Sequence, residues 1–466
     1  MTGKQAAGEE GADPRLNPLQ TFSFAFPGLA IAWLIPPMYA ILGDFYLRYT
    51  AATAAGIGSA MVFSKIVDAI TDPPVGLLSD RTSTRFGSRK PWIFAGMLIA
   101  IPMFWFFFNP PEDAGNTYFA IGIVLYYLVY TLVKIPYRSW LGEIAPSYAE
   151  RSRVWSWFTI AALLGGVLIM VIPLVVSSPL LGWYDSAEFD RDMVSLIGLV
   201  GMIGLPLTLL MAFLFVPQGR RNAGETPSAK EYFRIFSDCR PFRAFLYGYS
   251  LSALGFGIFY SIVIVALTSY YGFAKQVPLF MLIMIAAQVA SIPVWEYLAR
   301  STPKHRVWAY AWAAHSLFGL LFWFFPPQTE LFWLFVACGA VTSILQGPHM
   351  LFPVSIVSDI VDYDTLKNRT SRSGNLFSLF TFTDKVLHAI GFGIGYYCMA
   401  LFGYDAKLEA NTAMAVFGLK LGFILLPALL FFLSALILVR FPIDARRHDV
   451  IRRRIEQRQL REATVL

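Results

Sequence analysis

Charge is scarce in this sequence. Asp, Glu, Lys and Arg make up 14% of 466 residues, 56% are hydrophobic, and the mean hydropathy is +0.56. A water-soluble chain of this length needs far more charge to cover its surface, which argues against a soluble enzyme or binding domain. Cysteine is nearly missing. Cys239, Cys338 and Cys398 are scattered, with neither a disulfide framework nor zinc-ligand spacing. The apolar stretches lack the period-two alternation of a membrane β-barrel. No His/Asp/Glu cluster has metal spacing and no nucleophile motif occurs, so a membrane enzyme is not expected. The first 20 residues are polar, with no charged-then-apolar leader ending in a cleavage site.

What the chain has instead is apolar length. Runs cover 20–46, 52–78, 91–109, 118–141, 154–176, 193–216, 242–270, 278–297, 307–325, 331–357, 376–402 and 412–440. Each approaches the roughly 20 residues that carry a helix across about 30 Å of hydrocarbon. Helices are the remaining way to span lipid once barrels are set aside. Basic residues gather in alternate loops: Arg81, Arg85, Arg89 and Lys90, then Arg151 and Arg153, then Arg220, Arg221, Lys230 and Arg234. The pattern continues at Arg300, Lys304 and Arg306, at Lys367, Arg369 and Arg372, and in the tail. The intervening loops are acidic or nearly neutral. The net charge of +7 is therefore topological and does not call for a nucleic-acid partner. It predicts a multi-pass protein of the inner (plasma) membrane with both termini cytoplasmic.

The expected organisation is a cytoplasmic tail over 1–19, a six-helix bundle over 20–216, and a cytoplasmic linker over 217–241. A second six-helix bundle over 242–440 and a basic tail over 441–466 follow. Weak internal repetition supports two halves. Ser79-Asp80-Arg81 to Trp92 after the second run has a reduced counterpart at Arg300 to Trp308 after the eighth. Glu143 with Arg151–Arg153 matches Asp359 with Arg369–Arg372 in the same way. Repeated halves place a substrate site between them near mid-membrane.

Ionisable residues inside the apolar runs carry the most information, because lipid tolerates them only against a cavity or a partner. Asp68 and Asp72 lie four apart, on one helix face. They are expected to share a proton or a sodium ion, with Thr71 or Thr131 adding a hydroxyl. Asp72 also precedes Pro73-Pro74, where a structural kink is the competing explanation. Thr131, Lys134 and Arg138 share a face of the fourth helix. Lys134 either neutralises the aspartates or meets an acidic substrate, and Arg138 either lines the cavity or reaches the interface. Asp384 and Lys385 lie deep in the eleventh run, and Lys385 is expected in the substrate site with Tyr130. Lys420 is expected to be a structural partner. His388 is a packed residue or a proton relay. In the loops, Asp80 with Arg81, Arg85 and Arg89, Glu143 with Arg151, and Asp359 and Asp362 with nearby bases are expected to form ion pairs. These would latch the halves together.

At these residues the chain resembles the glycoside–pentoside–hexuronide:cation symporter family, the melibiose-permease-like branch of the major facilitator superfamily. The resemblance spans nearly the whole chain. Its best motif is Asp68-Ala69-Ile70-Thr71-Asp72-Pro73, followed by Gly76, Asp80, Arg81, Arg85, Gly87 and Arg89-Lys90-Pro91-Trp92. Ile135-Pro136-Tyr137 and Asp359-Ile360-Val361-Asp362-Tyr363 agree as well. It implies an all-α membrane fold of twelve helices in two pseudo-symmetric bundles. It further implies Na+ or H+ coupling at Asp68 and Asp72, assistance from Thr131, and a lysine near both sites at Lys385. The family's fourth-helix aspartate is replaced by Lys134, and its tryptophan one turn later by Arg138. Ala32 and Thr159 stand near the places of its other sugar-binding residues. The expectation is thus a monomeric transporter, embedded in lipid, for a glycoside or sugar acid, with no cofactor and no metal beyond a possible Na+. The alternatives are a lysophospholipid-like amphiphile as substrate and a non-transporting sensor.

Overall fold

The apolar runs become helices whose starts are set by polar caps. The side chains of Thr53, Ser147, Asp190 and Thr412 each accept the backbone N–H three residues on, which satisfies an otherwise orphan donor. A computed structural model describes residues 15–34, 36–145, 147–219, 236, 238–328, 330–369 and 372–465. Most of the predicted 217–241 linker, with Arg220, Arg221, Lys230 and Arg234, lies outside the described residues, as does most of the 1–19 tail.

The first membrane helix, α1, runs in pieces: Pro18–Ala25, Pro27–Ile31, a 3-10 turn at Ala32–Leu34, and Pro36–Tyr49. Its prolines lack the N–H that a continuous helix requires. There follow α2 (Ala54–Arg81), α3 (Lys90–Phe108), α4 (Asn116–Ile144), α5 (Tyr148–Val176) and α6 (Arg191–Phe215). The second half holds α7 (Arg240–Val265, extended by a π turn at Ala266–Tyr270), α8 (Val277–Ser301) and α9 (Lys304–Gly319). It continues with α10 (Phe332–Asn368), α11 (Ser373–Leu401) and α12 (Ala413–Lys420, a π turn, then Leu426–Leu438). A basic tail helix, α13 (Ala445–Val465), packs on the end of α10.

Packing repeats at an offset of six helices. Contacts of α1 with α5 and α6, α2 with α4, and α3 with α4 and α6 recur as α7 with α11 and α12, α8 with α10, and α9 with α10 and α12. The halves meet through α1–α7, α2–α11 and α5–α8. Apart from those that Lys385 makes to the middle of α2, the cross-half hydrogen bonds among the described residues lie toward the end opposite the basic loops. Thr268 donates to Asp44 (2.7 Å), Lys407 to the Thr50 carbonyl (2.6 Å), and Ser59 and Tyr397 share a bond of 2.6 Å. The apolar core agrees. One cluster joins the first half to the far end of the second, while the second half's basic end packs as a body of its own. The two basic ends are therefore apart, and the molecule is open on the side that carries the basic loops.

Lipid supplies no hydrophobic push between helices, so close approach needs small residues. α7 and α11 cross at Gly257 and Gly391, where a Cβ on either would come within 2.9 Å of the other's Cα. Gly257→Leu or Gly391→Val should lower the melting temperature of purified protein, by the roughly 1–3 kcal/mol or more of an overpacked site. Gly204→Ala, facing open space inside α6, should not lower it.

Candidate functional site

Asp68 stands near the middle of α2, 1% exposed, with Asp72 one turn further on. The Thr131 hydroxyl on α4 lies 2.8 Å from Asp68 Oδ1 and 3.0 Å from Asp72 Oδ1. A hydroxyl carries one hydrogen, so it serves the two carboxylates only by sharing. On their other oxygens, Lys385 Nζ from α11 lies 2.5 Å from Asp72 Oδ2 and 3.5 Å from Asp68 Oδ2. The pair is thus tied to its own half by Thr131 and to the opposite half by Lys385. Pro73 and Pro74 sit inside α2 and deprive the Ala69 and Ile70 carbonyls of their usual donors. The freed carbonyls and the acidic pair therefore lie side by side, and together they offer several hard oxygens suited to a small cation.

A further lysine belongs here that sequence reasoning missed. Lys65 Nζ lies 3.9 Å from Asp68 Oδ2 and 3.7 Å from the centre of the Tyr127 ring. Its signal was the i,i+3 spacing to Asp68.

Two cavities meet at Lys65 and Lys385, which line both. The upper one, about 330 Å³, is also lined by Tyr130, Lys134, Tyr260, Asp384 and His388. The lower one, about 470 Å³, reaches Asp68, Asp72, Arg138 and Phe377. Both volumes suit a small-molecule ligand.

The predicted residues distribute unevenly over this site. Lys134 does not neutralise the aspartates; its ammonium donates to the Tyr130 hydroxyl and lies 4.4 Å from that ring's centre. The cations that meet the aspartates are Lys385, because α2 packs on α11, and Lys65 on α2 itself. Thr71 departs from its predicted place beside the cation, since its hydroxyl turns back to the Asp68 carbonyl at 3.2 Å. Arg138 lies in the lower cavity over Trp155 (5.7 Å), apart from Tyr130 and Lys134. Asp384 faces the upper cavity but is held by Tyr249 (2.5 Å) and His388 (3.0 Å). Lys420 is a structural partner, donating to the Trp323 carbonyl at 2.8 Å.

Among the described residues the predicted ion pairs lie within each half rather than between the halves, because the basic ends are apart. Arg89 instead binds Asp80 (2.5 Å), Glu143 (2.7 Å) and Ser79 (2.8 Å), all within the first half. Glu143 is thus taken by Arg89, whereas Arg151 was its expected partner. Arg81 and Arg85 are exposed, and Arg85 lies over Phe86 at 4.7 Å. Asp359 pairs with Lys304 (3.3 Å), and His448 of the tail approaches Asp362 (2.9 Å), both within the second half.

Comparison with known proteins fits this architecture. The nucleoside transporter NupG superposes with a TM-score of 0.63 at 12% identity, over 89% of this chain and 98% of that one. A bacterial homologue of the lysosomal transporter Spinster superposes at 0.62 and 14% identity, over 95% and 98%. Among curated sequences, the putative glycoside/cation symporter YagG of Escherichia coli is 26% identical over 434 residues, 90% of each chain. The inner membrane symporter YicJ of the same organism is 25% identical over 85% of each. The sodium-dependent lysophosphatidylcholine symporter 1-A of Danio rerio is 22% identical over 82% of this chain and 77% of its own. Relatives and family are transporters, not enzymes. The family model described as MFS/sugar transport protein matches residues 22–445, and the chain belongs to that family.

Proposed function

We propose that this protein is a cation-coupled symporter that carries a sugar acid or related glycoside by alternating access. One observation carries the reading. Asp68 and Asp72 share Lys385 where the two halves touch at mid-membrane and two cavities converge. A carboxylate pair at that depth demands a counter-charge. When Lys385 turns toward a substrate's carboxylate, a coupling cation, Na+ or H+, takes its place among the oxygens of Asp68, Asp72 and Thr131. Neither solute can leave the pair uncompensated, which links their movements.

Lys134, Tyr130 and Lys65 line the substrate cavity and give it a positive wall. That wall favours an acid over a neutral sugar. The basic loops face the cytoplasm of the inner membrane, so the described conformation is open inward. The protein acts as a monomer. Closure brings the exposed bases Arg81 and Arg85 toward the acidic end of α10 at Asp359 and Asp362.

A lysophospholipid-like substrate is the second reading, and one feature favours it. An apolar pocket lined by Phe259, Met281 and Met284 adjoins the upper cavity at Tyr260. At about 120 Å³ it is smaller than pockets that enclose drug-sized ligands.

In proteoliposomes with an inward Na+ or H+ gradient, D-glucuronate should accumulate. Asp68→Asn and Asp72→Asn should each reduce accumulation roughly tenfold or more while retaining substrate counterflow, since equilibration needs no coupled cation. Full uphill transport by both variants would remove the coupling role. Lys134→Met should weaken D-glucuronate binding by roughly tenfold or more, the value of a hydrogen bond to a charged group. It should leave binding of a neutral glycoside nearly unchanged, as calorimetry can check.

A further inference from the structure

We propose that Asp384 and His388 form a proton site in the second half, and that a proton at His388 enables the upper cavity to hold an acid's carboxylate. The proposal rests on the acid-substrate reading above and adds a proton to it, separate from the cation at Asp68 and Asp72.

The geometry begins at one ring nitrogen. His388 Nδ1 lies 3.0 Å from the Asp384 carbonyl oxygen and 3.0 Å from Asp384 Oδ1. Facing two acceptors, Nδ1 carries the hydrogen, and in the neutral ring the lone pair is left on Nε2. Among the described residues Nε2 has no hydrogen-bond partner, and the ring lines the upper cavity. The Tyr249 hydroxyl donates to the same Asp384 Oδ1 at 2.5 Å, fixing the carboxylate behind the imidazole. A carboxylate so placed stabilises the imidazolium that forms when Nε2 takes a proton. Of the five histidines in the chain, His388 is the one that lines this cavity.

The groups around it set what that proton does. On its own helix stand Asp384 and Lys385; α7 contributes Tyr249 and Tyr260, and α10 contributes His349, stacked on Tyr249. Across the cavity are Lys65 on α2 and Tyr127, Tyr130 and Lys134 on α4. Lys385 and Lys65 are engaged with Asp68 and Asp72, and Asp384 backs the imidazole, so much of the surrounding charge is already compensated. With His388 neutral, the Nε2 lone pair faces the cavity as an acceptor and repels a carboxylate. With His388 protonated, the cavity gains one positive charge and the Nε2–H becomes a charge-assisted donor to an anion held there. A proton and an anion then enter together, and release of one weakens the other.

The test measures D-glucuronate binding to the purified full-length chain by calorimetry, with D-glucose and lysophosphatidylcholine as comparison probes. Between about pH 6 and 8, where a uronate stays ionised, affinity should fall as pH rises. The fall should approach tenfold per pH unit, the slope for one proton taken up per anion bound. His388→Gln should flatten that slope, and Asp384→Asn should move the fall to lower pH by destabilising the imidazolium. Histidine-labelled NMR should show one ring, lost in His388→Gln, whose signal shifts when D-glucuronate is added. Melting curves of both variants without ligand check that they fold. An identical slope in wild type and His388→Gln would overturn the proton site and leave the acid-substrate reading standing. Binding of D-glucose or lysophosphatidylcholine without D-glucuronate at any pH would overturn both.

Discussion

Everything in this molecule answers to one electrostatic constraint, two carboxylates held in the hydrocarbon layer. Asp68 and Asp72 cannot stand there alone, and the fold supplies their compensation from two directions. Thr131 reaches them from within the first half, and Lys385 reaches them from the second. The α2–α11 contact therefore makes the halves meet as charge meets charge, in addition to apolar packing. The same constraint explains why the cavities converge there. Groups that require compensation are the groups that solutes can bind by substituting for it.

The helices were legible because the bilayer's thickness writes itself into the chain. The predicted second run, 52–78, became Ala54–Arg81, and the sixth, 193–216, became Arg191–Phe215. The tenth run was read as ending at 357, yet α10 continues to Asn368. Its last turns carry Asp359, Asp362, Asp364 and Lys367, so they are helical without being apolar, and hydropathy is blind to them. α11 is the converse case. Asp384, Lys385 and His388 dilute its apolar character, and its place in a series of alternating spans betrays it better than its composition.

Within the site, local spacing carried the reading as far as one helix. Asp68 and Asp72 at i,i+4 marked a shared face, and Thr131 came with the family motif. Which lysine would meet them depended on which helices touch, and spacing along α4 made Lys134 the nearer candidate. Tertiary packing awarded the place to Lys385 and left Lys134 to Tyr130. Lys65 was legible in principle from Lys65-x-x-Asp68, yet it lies in a run read for its apolar content. The loop charges misled differently. Acid and base in sequence order suggested pairs between halves, whereas Arg89 gathers Asp80 and Glu143 into one rigid corner of its own half.

The position of the Lys385 pairing along the helices has a mechanical result. Ser59, which bonds Tyr397 across the halves at 2.6 Å, stands nine residues before Asp68 on α2, about 14 Å along the axis. A rocking of about 15° around a mid-membrane axis displaces that point by roughly 3.5 Å, enough to break its bond. Atoms beside the axis barely move. The ionic pair thus behaves as an axle, kept through the swing while the outer contacts are made and lost. Under the proposed symport, its opening then comes from an arriving solute rather than from the swing itself.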